Sequence, residues 1–223
     1  METRLSVKIL AVADQVVELL CGPGVGQRFG DVDLVVSCGD LPYDYLEYLV
    51  TLLNVPVFFV RGNHDARWKH GLEGQVPVCP QGCQDLHQRV VRHRGLLLAG
   101  LEGSHRYKPG PFQYTDWEMG WNVAGLWPAL LWNRLRWGRY LDVLVTHAPP
   151  RGVHDQPDAC HQGFQSLVRF MEWFRPRYLI HGHIHLYGSH QPWRTVYRDT
   201  EVVNAYGYRV IELTVPAKRK VSL

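Results

Sequence analysis

The segment RGNHD, residues 61–65, directly follows the apolar run from Val55 to Val60. The run predicts a buried strand, and the turn after it carries groups that can do chemistry. Gly62 permits a sharp backbone turn, the amide oxygen of Asn63 can bind a metal, and His64 can hold or donate a proton near neutral pH. Taken alone, this segment is a modest signal of a catalytic site.

The same arrangement of an apolar run ending in a ligand-type side chain recurs along the chain. Asp14 follows residues 7–13, Asp40 follows residues 33–38, and His147 follows residues 141–145. A last run, residues 177–180, leads into His181-Gly182-His183-Ile184-His185. Because ligand sites in open α/β sheets form at the carboxyl ends of strands, these side chains are expected to converge.

The set also has an ordinary interpretation, since a lone Asp after a strand is usually a helix cap and a lone His is usually a satisfied polar residue. Caps alone would use Ser, Thr and Asn as often as His, so they explain the whole set poorly. Mixed carboxylate, amide and imidazole ligands suit Mn, Fe, Zn or Co. The spacing of His183 and His185 allows one shared metal, whereas a two-metal site would let Asp40 bridge.

Strands and helices alternate over the first 65 residues, which predicts a mainly parallel α/β sheet within a single domain, residues 1–223. Helices are predicted for residues 16–20, for a face carrying Tyr45, Leu46 and Leu49, and for residues 164–174. Residues 66–94 read as loop, and residues from Trp193 onward as antiparallel strands. Thr115 and Glu118 form a capping box that opens a Trp-rich helix, expected to be core or lid. Pro128 is expected to interrupt this helix, and residues 130–137 could resume it.

Composition excludes several classes of protein. The net charge is only +3, from 24 Lys+Arg against 21 Asp+Glu, so bulk charge gives no strong nucleic-acid or membrane signal. The basic stretch Lys218–Lys220 is read as a solvated end. No apolar run reaches membrane-spanning length, and a cytoplasmic location is expected.

Five cysteines fit reduced thiols, and Cys79 with Cys83 are read as two thiols in an ordinary loop.

The ordered series Asp14, Gly39-Asp40, residues 62–65, His147 and residues 182–185 resembles the calcineurin-like metallophosphoesterases over essentially the whole chain. The resemblance implies a sandwich of two mixed β-sheets flanked by helices, with two divalent metals at the strand ends. It assigns one metal to Asp14, Asp40 and His185. It assigns the other to Asp40, Asn63, His147 and His183. The segment THAPP, residues 146–150, is most similar to the small cytosolic phosphodiesterase-type members.

The first motif departs from the family, whose usual Asp-x-His is here Asp14-Gln15-Val16. Valine cannot bind a metal, so the first site is expected to be weak, to recruit water or Gln15, or to stay empty. Two metals would lower the pKa of a bridging water and supply hydroxide at neutral pH. By the same resemblance, His64 assists the leaving group, and Asp65 is expected to orient His64.

Substrate contacts are less well marked. Arg106, just after a strand, is a candidate phosphate clamp, although a solvated loop arginine is the equally good alternative. Asp155 and His161 lie in a loop that could wall the cleft. The oligomeric state and the substrate, a small phosphoester or a nucleotide, stay open.

Two functions follow from these residues. The leading one is a metal-dependent phosphoric ester hydrolase, more specifically a phosphodiesterase. The alternative is a phosphoesterase-fold binding or scaffold module whose catalysis is weak or lost, which Val16 favours. His64 and the complete second ligand set favour the enzyme, because a binding module gains nothing from a general acid. An exposed apolar patch is the feature that partner binding would require.

Overall fold

The structure, a computed structural model, describes residues 4–66, 68–71, 74–187 and 192–216. The basic stretch Lys218–Lys220 therefore lies outside the described residues. In chain order the helices are α1 Val25–Phe29, α2 Tyr43–Leu53, α3 Asp116–Trp137 and α4 Gln165–Phe174. The strands are β1 Arg4–Ala13, β2 Leu34–Ser37, β3 Val57–Phe59, β4 Trp68–Gly71, β5 Gly74–Pro77, β6 Cys83–Asp85, β7 Val90–His93, β8 Leu96–Leu101, β9 Ser104–His105, β10 Gln113–Tyr114, β11 Val143–Thr146, β12 Tyr178–His181, β13 Arg194–Tyr197, β14 Thr200–Asn204 and β15 Gly207–Pro216.

Two mixed sheets form the centre of the fold. The first has the order β15-β1-β2-β3-β6, and the second has the order β13-β14-β12-β11-β8-β7. In each sheet the inner strands are parallel, while β15, β13 and β7 pair antiparallel with their neighbours. The two mixed sheets implied by the family resemblance are thus confirmed. The closing strands are only partly antiparallel, because β14 runs parallel to β12.

Successive apolar residues along each strand point to opposite faces of the sheet. They therefore belong to different layers of the core. Ile9 and Val36 of the first sheet share a buried cluster with Leu98 and Val145 of the second, so this cluster lies between the sheets. The intervening residues of the first sheet pack under α1 and α2. Those of the second sheet pack under α3 and α4. Strands buried on both faces read as continuous apolar runs, which is why the sequence reveals them.

Three predictions about elements are corrected. Residues 66–94 contain short strands β4 to β7 as well as loop, and β6 escapes detection because its three residues are mostly polar and lie at a sheet edge. Residues 16–20 form only a 3₁₀ turn, Glu18–Leu20, in which Leu20 alone is buried. The segment Gly22-Pro23-Gly24-Val25-Gly26 predicts a flexible turn, but the next helix already begins within it, at Val25.

The Trp-rich helix differs from its prediction in two ways. It begins with the predicted capping box of Thr115 and Glu118, but it continues through Pro128 to Trp137. Pro128 is exposed, and the buried side chains of Leu126 and Leu130 on either side hold the helix against the second sheet. Four of its tryptophans, Trp117, Trp121, Trp127 and Trp132, are exposed and not core residues, whereas Trp137 is partly buried against the second sheet.

The two sheets approach each other closely at Gly100, because glycine has no side chain. A Cβ added to Gly100 of β8 would lie 2.5 Å from Leu86 Cβ and 2.6 Å from Val60 Cγ1. Gly100→Ala is expected to lower the free energy of unfolding by about 1–3 kcal/mol, because the neighbouring backbone must move. Urea denaturation measures this loss. Gly26→Ala, whose Cβ meets nothing within 4 Å, is the control, and equal stability of the two variants would contradict this packing.

Candidate metal centre

Asp14 and Asp40 occupy equivalent places at the ends of β1 and β2. Both have positive φ, 62° and 55°, a backbone conformation that non-glycine residues rarely adopt. The Asp14 N–H donates to Gly39 O at 3.2 Å, and this bond joins the two strand ends. Unusual backbone held by surrounding structure is typical of functional sites.

The turn after β3 is fastened to Asp40 by hydrogen bonds in both directions. Asp65 Oδ2 accepts the N–H of Gly62 at 2.7 Å and that of Asp40 at 3.0 Å. Asp40 Oδ1 in turn accepts the N–H of His64 at 2.8 Å. A Cβ at Gly62 would lie 2.1 Å from Asp40 Oδ1 and 2.6 Å from His147 Cε1, so only glycine fits between these side chains.

His147, fully buried at the end of β11, places a ring nitrogen among oxygen acceptors. Its Nδ1 donates to Cys38 O at 2.7 Å. In the neutral ring this leaves a lone pair on Nε2, which lies 3.0 Å from Asn63 Oδ1 and 3.3 Å from Asp40 Oδ2. Lone pairs on all three atoms repel one another unless a proton or a metal cation lies between them.

His183 approaches the same point from the end of β12. Its backbone N–H donates to both carboxylate oxygens of Asp14, at 3.1 and 2.9 Å. Its Nε2 donates to Cys160 O at 2.8 Å, which leaves the Nδ1 lone pair for a ligand. The ring centroids of His183 and His147 are 4.8 Å apart.

The pKa values describe how the centre is charged without a cation. Burial opposes ionisation of Asp40, but the charge and hydrogen bond of His147 outweigh it and lower the Asp40 pKa to about 2. Burial also opposes protonation of His147, yet Asp40 raises its pKa to about 9. Burial and the positive charge of His147 lower the pKa of His183 to about 3. Among Asp40, His147 and His183, the one additional proton held at neutral pH therefore lies on His147, whose two ring nitrogens are then both protonated.

The donor set fits a divalent cation. Asp40, His147 and His183 each offer one ligand atom, and these atoms all lie within 4.8 Å of one another. Asn63 adds its amide oxygen, while its buried Nδ2 has no hydrogen-bond partner among the described residues. Carboxylate, amide and imidazole ligands match Mn, Fe, Zn or Co. All four predicted ligands of the second metal are thus brought together.

The predicted ligands of the first metal are less well assembled. The Asp14 carboxylate accepts a hydrogen bond from the His183 N–H. Burial raises the pKa of Asp14 to about 7. The His185 ring bonds Tyr187 Oη through Nδ1 at 2.7 Å and packs against Tyr206. Within the described residues, neither joins the group of ligand atoms around Asp40. Val16 is 42% exposed and offers no ligand atom.

The predicted catalytic residues, His64 and Asp65, have distinct placements. His64 is exposed and lines a cavity of about 400 Å³ with Asp40 and Leu41. Asp65 fastens the turn through the backbone bonds above, and burial raises its pKa to about 6. The described contacts of Asp65 are therefore with backbone groups rather than with the His64 ring that it was expected to orient.

Arg106 has partners other than a substrate phosphate. Its guanidinium donates to Gln113 O and to Glu118, and it thereby stabilises the start of α3. Because an ion pair with Glu118 competes with phosphate, we do not assign Arg106 a substrate role. Asp155 likewise holds its loop, accepting the N–H groups of Gly152 and Gly163.

The loop after Pro150 does border the centre, as the sequence suggested. The His161 ring lies 5.4 Å from that of His183, centroid to centroid. The backbone carbonyls of Cys38 and Cys160, which orient the two ligand histidines, were not foreseen. No side-chain pattern could have revealed them, since any residue supplies a carbonyl.

A sandwich of two mixed sheets with carboxylate, amide and imidazole ligands at the strand ends defines a metal-binding phosphoesterase architecture. The sequence pattern of the family described as "Calcineurin-like phosphoesterase" matches residues 10–187. The chain therefore belongs to the calcineurin-like phosphoesterase family. Metal-dependent cleavage of phosphate esters is the activity that this membership supports at the level of the family.

Solved structures confirm the fold. TT1561 of Thermus thermophilus superposes with a TM-score of 0.63 at 16% identity, over 96% of this chain and 100% of that one. GAP50, described as the anchor in the inner membrane complex of Plasmodium, gives a TM-score of 0.52 at 11% identity, over 93% and 81%. Identities this low indicate a shared fold only. The comparison with curated proteins finds no match.

None of the helices that the structure describes is both long and apolar enough to cross a membrane.

The position of the cluster's proton predicts a pH dependence of metal binding. Below about pH 9 the metal-free His147 is protonated, so a cation that takes Nε2 must displace that proton. Binding of Mn²⁺ at pH 7 is expected to release about one proton, and the apparent affinity should rise about tenfold per pH unit towards pH 9. Calorimetry in two buffers of different ionisation enthalpy measures the release. Binding without proton release would mean that His147 is not a ligand.

Proposed function

We propose that this chain is a metal-dependent phosphodiesterase, acting on a small phosphoester or a nucleotide. The observation that carries the proposal is the convergence of Asp40, Asn63, His147 and His183 on one point, with exposed His64 beside it. Asp40, Asn63, His147 and His183 would hold the cation. When bound, a divalent metal acidifies water and neutralises charge on phosphoryl oxygens.

The protein's own groups would act around that point. Hydrogen bonding of the His64 N–H to Asp40 Oδ1 holds His64 next to the ligand set. An imidazole there can donate its proton to the departing alkoxide, which is poorly stabilised as an anion. Leu41, Pro42 and Tyr43 line the same cavity and give the organic group of the ester an apolar surface beside His64.

The preference for a diester rests on two points. The THAPP segment resembles the phosphodiesterase-type members of the family, and the wall of the cavity beside His64 is formed by Leu41, Pro42 and Tyr43. The donor set suits Mn, Fe, Zn or Co, and Mn is the cation used in the tests below. Asp14 and His185 would complete a second, weaker metal site, since Val16 stands where a histidine is usual. A cytoplasmic location fits the composition and belongs to the same proposal.

A scaffold function is the second candidate, because two observations favour it. Val16 removes a ligand from the first metal site, and the outer face of α3 exposes a row of large apolar side chains. Under this alternative, the protein binds metal stoichiometrically but hydrolyses no phosphoester with Mn, Fe, Zn or Co. Metal analysis and turnover, measured on the same samples, distinguish the two functions.

Substitutions at His64 and Asn63 separate catalysis from metal binding. His64→Ala is expected to lower kcat on bis-p-nitrophenyl phosphate by about 10²–10⁴-fold while leaving Mn content unchanged, because His64 is a proton donor and not a ligand. Asn63→Ala should lose both activity and metal. Protein stripped of metal and reconstituted with Mn is used throughout.

The matched control is Asn122→Ala, which removes a carboxamide from α3, where its partner is Gln88. This variant should retain both Mn and turnover. If His64→Ala lost metal in proportion to activity, its assigned role would be wrong. If the unaltered chain bound Mn without turnover, the scaffold function would replace the enzyme.

A further inference from the structure

Helix α3 is apolar on both of its faces. Its inner side chains, including Met119, Val123 and Leu126, are buried against the second sheet. Its outer side chains are exposed to the following fractions: Trp117 72%, Trp121 62%, Leu131 50%, Trp132 65% and Leu135 82%. A helix that is apolar on two opposite faces is normally covered on both, and the described residues of one copy leave the outer face uncovered.

The outward residues recur at the spacing of a helix-pairing seam. The seam positions, separated by alternating steps of four and three residues, are Trp117, Trp121, Ala124, Pro128, Leu131 and Leu135. Alternation of three and four is the heptad pattern by which one helix packs along another. The seam runs nearly the full 22 residues of α3, a length of about 33 Å.

The seam matches itself when its direction is reversed. With a two-fold axis at the level of Leu126, Trp117 lies opposite Leu135 of a second copy, and Trp121 lies opposite Leu131. The middle layer would pair Ala124 with Pro128, so the smallest side chains meet at the axis and allow the backbones to approach. A self-complementary surface of this kind is what a two-fold symmetric interface requires.

The charges of α3 also match only in the reversed direction. Asp116 and Glu118 lie at its beginning and Arg134 and Arg136 at its end, with no charged residue from 119 to 133. Each acid is eighteen residues, or five helical turns, from one arginine, Asp116 from Arg134 and Glu118 from Arg136. Each such pair therefore lies on one side of the seam. Reversal brings the acids of one copy to the arginines of the other.

The exposed carboxylate of Glu118 has acceptor capacity left for such a contact. It already accepts hydrogen bonds from Thr115 and Arg106, yet its side chain remains 37% exposed. An ionised carboxylate has about four acceptor sites, so an arginine of a second copy can be added. The apolar surface also continues beyond α3, because Trp127 packs edge-on against exposed Trp173 of α4.

We propose that α3 pairs antiparallel with α3 of a second copy of this chain and forms a symmetric dimer. The order of charges favours this partner over an anionic lipid surface, which Asp116 and Glu118 would repel. A parallel pair would place arginines against arginines. The dimer accounts for the exposed apolar face without any loss of catalysis, so it is independent of whether the chain hydrolyses phosphoesters.

Sedimentation of the full chain over the micromolar range tests the proposal. The unaltered chain is expected to be a dimer, and Leu131→Glu with Leu135→Glu should weaken association at least about 100-fold, because two seam positions become charged. Val196→Glu alters an equally exposed apolar residue on β13 and should leave the dimer intact. Circular dichroism establishes that each variant is folded.

Cross-linking tests the direction of pairing. In a Cys21→Ser, Cys79→Ser background, a short bis-maleimide should link Pro128→Cys chains, whose altered positions are offset by about 6 Å along the axis. Trp117→Cys chains should not be linked, since those positions are about 27 Å apart. The proposal is overturned by a monomeric unaltered chain, by a dimer that survives both Glu substitutions, or by linkage at 117 instead of 128. Binding of the monomer to anionic vesicles would instead identify the face as a membrane surface.

Discussion

Mutual repulsion of lone pairs is the constraint on which the site depends. Asn63 Oδ1 and Asp40 Oδ2 lie 3.0 and 3.3 Å from His147 Nε2, and hydrogen bonds to backbone groups hold Asp40 and His147 in place. The fold stabilises this arrangement only if positive charge occupies the space between the atoms. Without a metal, the proton on His147 supplies that charge, and a divalent cation supplies more of it.

The two-sheet architecture creates this constraint. Asp14 and Asp40 come from the first sheet, while His147 and His183 come from the second, so the centre lies where the carboxyl ends of both sheets meet. The Asp14 carboxylate accepts the backbone N–H of His183, which joins the two sheets directly. Close contacts at Gly62 and Gly100 fix the distance between the sheets. The same contacts between the sheets therefore determine both the packing of the core and the geometry of the site.

The sequence predicted the parallel strands well, because doubly buried strands read as apolar runs. The unusual polar residues that end these runs include Asp40, Asn63, His147 and His183, which the structure brings together. Predictions from the sequence were wrong where contacts made in the folded protein decide the local structure. The polar edge strand β6 resembles a loop, and Pro128 breaks a helix only when packing does not hold it. For Arg106 the sequence left a phosphate clamp and a solvated loop arginine as equal alternatives, since its pairing with Glu118 depends on where a loop returns to α3.

Anomalous X-ray diffraction from crystals of the Mn-reconstituted protein, collected on both sides of the Mn absorption edge, is the most direct test of this metal centre. We expect one strong Mn peak bounded by Asp40, Asn63, His147 and His183, with a weaker peak towards Asp14 and His185 if a second ion binds. A strong peak at the partly exposed group of Asp158, Cys160 and His161, with none beside His147, would contradict this assignment of the metal ligands.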